Sequence, residues 1–164
     1  MIQTRRVRPR ELTFTTLGEV LAEAERLAAH ERAGSLERMG NWSTGQIFGH
    51  LAWWIEESFD GHGFRPPWWL RLIGPLLKGR MTDRRAKPGF RLPGIANGTL
   101  GTEDISLDEG LDRLRRAVAR LQASAPTVPD PALGWLTHDE WLRLHMRHGE
   151  LHLGFLLPTG PEVA

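Results

Sequence analysis

From Thr16 onward the apolar residues Leu17, Val20, Leu21, Ala24, Leu27 and Ala28 recur at three- and four-residue steps, the spacing of one face of an α-helix. Leu107, Leu111, Leu114, Val118 and Leu121 form a heptad-like seam with Asp, Arg and Glu between them. Patterns of this kind predict helices near residues 16–32, 43–60, 106–124 and 137–156. Each opens on a Ser or Thr followed three residues later by Glu or Gln: Thr16 with Glu19, Ser43 with Gln46, Ser106 with Glu109, Thr137 with Glu140. In such a box the hydroxyl accepts a free N–H of the first turn, and the longer side chain accepts the N–H of the capping residue. Trp42 with Ile47 and Leu136 with Trp141 are spaced to staple two of these starts. Gly34 and Gly40 follow the first predicted helix, and Pro126, Pro129 and Pro131 separate the last two.

The connection between the second and third predicted helices breaks this regularity. Pro66-Pro67-Trp68-Trp69-Leu70-Arg71-Leu72-Ile73 predicts a short helix opened by proline and disturbed at Pro75. From Arg80 to Thr102 prolines and glycines replace periodicity, so a long loop is expected. A connection of this length allows a crossover between non-adjacent helices. The expected fold is all-α: a four-helix bundle with a long decorated crossover between helices two and three, in one domain spanning 1–164.

Composition narrows the chemistry. The 164 residues suit one domain, and the absence of cysteine removes disulfides, thiol nucleophiles and Cys-type metal sites. Lys and Arg number 21 against 20 Asp and Glu, for a net charge of +1, so no wide field attracts a polyanion and no nucleic-acid partner is expected. No apolar run reaches spanning length, no secretory signal opens the chain, and a cytoplasmic location is expected. Phe64 to Leu77 lacks the Lys-rich polar face of an interfacial helix, so no membrane partner is expected either. The basic run Lys78, Arg80, Arg84, Arg85, Lys87 and Arg91 reads as a solvated loop. In Trp53-Trp54 and Trp68-Trp69, neighbours on a helix point about 100° apart. One of each pair can enter the core while the other lines a pocket or a dimer surface.

Seven histidines are present. His145, His148 and His152 fall on one stripe of the last predicted helix, about 60° wide, together with Trp141, Phe155 and Leu156. Arg143, Arg147 and Glu150 take the opposite side. Three imidazoles on an inward stripe need partners, because each buried polar group left unpaired costs on the order of 1–3 kcal/mol. A divalent metal satisfies several at once, and the i, i+4 pair His148 and His152 offers nitrogens on adjacent turns. His50, beside Ile47, Leu51 and Trp54, is the candidate third ligand. Gln46 and Glu57 share its stripe, as an orienting group or a base. His30, His62 and His138 are expected at the surface. Imidazoles with few carboxylates suit zinc or nickel better than magnesium or calcium. The alternative is a metal-free binding protein whose core histidines form a hydrogen-bond network.

Asn41-Trp42-Ser43-Thr44-Gly45-Gln46-Ile47-Phe48-Gly49-His50-Leu51, with His148-Gly149-Glu150-Leu151-His152, resembles the DinB-like superfamily, in one of its uncharacterised branches. The likeness covers nearly the whole chain. It implies a four-helix bundle with crossover connections, often a homodimer, and a divalent ion such as zinc or nickel held at the positions of His50, His148 and His152. It also implies a small-molecule substrate and transfer or isomerisation with a low-molecular-weight thiol. The chain departs from the pattern in two places. His145 adds a histidine to the stripe, and the usual His-Arg-Gly-Gln ending reads His152-Leu153-Gly154-Phe155, which bears on the thiol chemistry more than on the metal.

Overall fold

The computed structural model describes residues 7–61, 63, 65–84, 88–89 and 98–161. In chain order the elements are α1 (Leu17–Arg32), β1 (Leu36–Arg38), α2 (Thr44–Asp60), α3 (Trp68–Asp83), α4 (Leu107–Ala123), α5 (His138–Leu153) and β2 (Leu156–Pro158). The chain is mainly α. All four capping boxes close in both directions, on Thr16, Ser43, Ser106 and Thr137, so the predicted starts of α1, α2, α4 and α5 are the real ones.

One hydrophobic core lies among α1, α2, α4 and α5, with Leu27, Phe48, Leu114, Leu121 and Leu153 fully enclosed. The closest approach is between α2 and α4. A Cβ on Gly110 would stand 2.6 Å from the carbonyl oxygen of Gly45, and one on Gly45 would strike the backbone of Ile105 and Ser106. Glycine at both positions lets the two backbones meet.

Several sequence expectations are corrected. The fold is not purely α, because β1 and β2 pair antiparallel, Leu36 opposite Pro158 and Arg38 opposite Leu156. This sheet ends the last helix at Leu153, three residues before the predicted 156. The connecting helix α3 runs 16 residues, through Pro75 to Asp83, so Lys78 and Arg80 are helical and not in a loop, and the helices it joins, α2 and α4, are direct neighbours. Arg85, Lys87 and Arg91 lie outside the described residues.

His30 is buried, its Nδ1 2.9 Å from Ser35 Oγ, because the chain after Gly34 folds back over the end of α1. His138 is half-buried and donates from Nε2 to Leu121 O at 2.6 Å, satisfying a free carbonyl in the last turn of α4. His62 lies outside the described residues. Glu150 does not face solvent. It is buried, accepting the N–H of Phe14 at 2.8 Å and pairing with Arg147 at 2.9 Å. The N-terminal arm makes the difference: Arg10 bonds Gly154 O and Leu156 O, and Arg147 bonds Phe14 O, so the arm covers a face of α5 that periodicity assigns to water.

Candidate metal centre

His50 sits in the second turn of α2, and His148 and His152 on successive turns of α5. The packing of these two helices brings one ligating nitrogen from each of the three within 4.8 Å of the others. His50 is buried, and His148 and His152 are half-buried. The three rings crowd together, with centroids 5.0 Å apart for His50 and His148, and 4.6 Å for the two pairs that include His152.

The orientation of His50 is set from behind. Its Nδ1 lies 2.9 Å from Leu100 O and 3.3 Å from Gly101 O. A carbonyl only accepts, so the proton of a neutral imidazole resides on Nδ1 and the lone pair of Nε2 points into the cluster. Buttressing by a backbone carbonyl is the usual second tier of a histidine ligand. Across the cluster His50 Nε2 and His148 Nε2 are 3.2 Å apart. Two nitrogens on one tetrahedral zinc, each about 2.05 Å from it, stand about 3.3 Å apart. The donor set therefore fits the ion in type, and the His50–His148 pair fits it in spacing, with His152 within 4.8 Å.

Electrostatics agree. Burial pulls the pKa of His50 from 6.5 down to about 4, against the opposing pull of the two carbonyls. His148 and His152 are also lowered well below the ordinary imidazole value, first by burial and then by neighbouring imidazoles. Near neutral pH all three rings are uncharged, the form that binds a metal.

Aromatic walls enclose the cluster. Trp42 stacks on His152 at 5.4 Å and 7° and stands 4.8 Å from His50. Trp54 presents an edge-to-face contact to His50 and to His148. Trp42 was expected as a helix staple, and its place beside the imidazoles is new. So are the carbonyls of Leu100 and Gly101. Their one sequence signal is Gly101 itself, whose φ of +66° and close approach to the Trp53 ring exclude a side chain.

The other sequence candidates stand apart from the three nitrogens. Ser58 Oγ donates to Trp54 O, which leaves His145 Nε2, 3.0 Å away, to donate to Ser58. That proton turns the nitrogen away from ligation. The carbonyl oxygen of the Gln46 side chain closes the capping box on Ser43 N at 2.9 Å, so backbone carbonyls and not Gln46 orient His50. Glu57 is half-buried two turns beyond His50 and is felt by Arg113. An open cavity of about 490 Å³ lies elsewhere, between the start of α3 and the loop ending at Trp135.

Fold and site together define a mainly α protein with a three-imidazole cluster of metal-binding dimensions. A family model described as "Protein of unknown function (DUF1569)" matches residues 6–159, and the chain belongs to that family. What the match shows is this family; the DinB-like likeness rests on the sequence motifs alone. No curated protein and no solved structure matches the chain.

Proposed function

We propose that this protein is a metalloprotein of DinB-like four-helix-bundle type that holds one zinc or nickel ion through His50, His148 and His152. The observation that carries the reading is the His50 ring, whose proton is held on Nδ1 by Leu100 O while Nε2 faces two further neutral imidazoles. A bound ion would supply Lewis acidity, or lower the pKa of a small nucleophile at an open fourth position.

The chain's own residues would do the rest. Trp42 and Trp54 restrict water and flank an organic substrate, and Glu57 is the carboxylate we assign as base. A low-molecular-weight thiol as co-substrate, transfer or isomerisation as the reaction, a homodimer and a cytoplasmic location come from the DinB-like resemblance.

The test is elemental analysis of untagged protein purified without chelator, with a thermal-shift titration. About one equivalent of zinc or nickel is expected, lost in His148→Ala and kept in Glu57→Gln. A His148→Ala protein that retains a full equivalent overturns the ligand set.

A second reading has its own support, since the bonds from His50 to Leu100 O and to His148 also satisfy the ring without an ion. A metal-free network predicts that a chelator leaves Tm unchanged. A metal site predicts a fall that grows with free-ion affinity as RT ln(1 + [L]/Kd).

A further inference from the structure

The geometry points to α3 as an interfacial helix that docks the protein onto an anionic lipid surface. Its outward face is apolar: Trp68, Trp69, Leu72, Ile73, Leu76 and Leu77 are all exposed, Trp68 by 76%, Leu72 by 70% and Leu76 by 85%. Only Gly74 and Thr82 of this helix are buried. The inward side is pinned at Gly74, where a Cβ would collide with the carbonyl oxygen of Ala132. The helix is therefore seated with its apolar side chains turned away from the core. Contiguous exposed apolar faces of this kind mark a surface that something covers.

Charge identifies what covers it. From Arg65 to Arg84 there are five cations, Arg65, Arg71, Lys78, Arg80 and Arg84, against one carboxylate, Asp83. Asp83 is paired with Arg143 on α5, and Lys78 with Glu140. The side chains of Arg65, Arg71, Arg80 and Arg84 meet no carboxylate among the described residues. A chain of net charge +1 thus concentrates cations around this exposed apolar helix.

A second copy docked face to face would bring these cations against each other, while Asp83 and Glu140 are already paired and Asp130, beside Arg65 and Arg71, is bound to the N–H groups of Ala132 and Leu133. A surface of anionic headgroups complements them, and the long arginine stems reach it while tryptophan and leucine enter below the headgroups.

The ground beside the helix fits the same occupant. Arg71 lines both the shallow depression next to Trp68 and Leu72 and the cavity of about 490 Å³ shared with Arg65 and the exposed Trp135. A headgroup phosphate held there would lie next to the apolar face. No helix among the described residues is long and apolar enough to cross a membrane, so α3 lies along the surface. The sequence argued against a membrane partner because Phe64 to Leu77 lacks a Lys-rich polar face. The continuation of the helix through Pro75 adds Lys78 and Arg80 to it.

The test is sedimentation of the full-length protein, as isolated, with vesicles of phosphatidylcholine alone or with roughly one part in three phosphatidylserine. Binding to the anionic vesicles is expected to be about tenfold tighter or more, with a blue shift of tryptophan emission and weakening in high salt. Leu72→Glu/Leu76→Glu should lose about tenfold in binding, and Arg71→Glu/Arg80→Glu should lose the preference for anionic lipid. Circular dichroism and metal content are expected to match wild type in both, which separates this proposal from the metal site. Equal binding to both vesicle types, or to neither, overturns it. So does a stable dimer that Leu72→Glu/Leu76→Glu converts to monomer without any lipid binding.

Discussion

Two regions of the molecule invert the ordinary distribution of residues, in opposite directions. Between α2 and α5, imidazoles are turned inward; along α3, seven large apolar side chains are turned outward. The inward inversion is answered within the chain. Leu100 and Gly101 carbonyls hold His50, Trp42 covers His152, and Ser58 holds His145. The outward inversion is answered by nothing in the described residues. Polar groups inside a fold must be matched locally, because an unmatched one destabilises the fold itself. An apolar face left outside barely affects folding and is matched only when another surface arrives. The difference locates internal chemistry at the histidines and external docking at α3.

The strongest way to break this contrast is acid. Burial holds His50 near pKa 4, against 6.5 for an unperturbed imidazole, so the unfolded chain takes up a proton more readily than the folded one. In metal-free protein, stability is complete above about pH 6.5 and falls as pH drops from there towards 4. About 3 kcal/mol is lost from His50 alone, and His148 and His152 act in the same direction. Denaturant midpoints measured across this range in the presence of chelator check it. A flat profile would mean the cluster opens to water.

A backbone substitution comes next. Gly101→Ala puts a Cβ at positive φ, 2.7 Å from the Trp53 ring, in the segment whose carbonyls orient His50. The expected cost is about 1–3 kcal/mol of stability, with metal affinity falling about tenfold to a hundredfold. A Gly101→Ala protein that kept both would show that the carbonyls do not hold the ring. Ser43→Ala, which removes the hydroxyl capping α2 below the same ring, should cost about 1 kcal/mol. The start of α3 offers no comparable target, because Pro67 makes no side-chain cap.

What the sequence displayed of this molecule was local. Capping boxes act over three residues and apolar seams over one helix face, so the starts of α1, α2, α4 and α5 were readable to the residue. The inward direction of His145, His148 and His152 was readable from their companion Trp141, while Phe155, placed on the same stripe by periodicity, lies beyond the end of α5. Glu150 was not, because what buries it is the arm around Phe14, more than a hundred residues away in sequence. The second tier of the cluster was hidden for another reason: carbonyl oxygens are present at every residue and carry no letter of their own. In α3, apolar residues occupy most of the circumference, so periodicity could not say which face would be covered. Pro75 reads as a break, yet it removes a single backbone donor in a helix pinned at Gly74.

The smallest expected effect tests the outward half of the comparison. Leu76 is 85% exposed in the middle of α3, so Leu76→Ser removes little burial from the folded state and alters little in the unfolded one. Its effect on the free energy of unfolding is expected within about 0.5 kcal/mol. Truncation at Leu114, wholly enclosed in α4, should cost about 3 kcal/mol as Leu114→Ala. The informative readout is the pair: urea midpoints for both variants, alongside solubility of the Leu76→Ser protein, which should rise as the apolar face shrinks. A cost at Leu76 approaching that at Leu114, unchanged on dilution, would mean that the face is covered by the chain itself. A cost that vanishes on dilution would mean that it is covered by a second copy. No cost, with a gain in solubility, leaves the face free for a lipid surface.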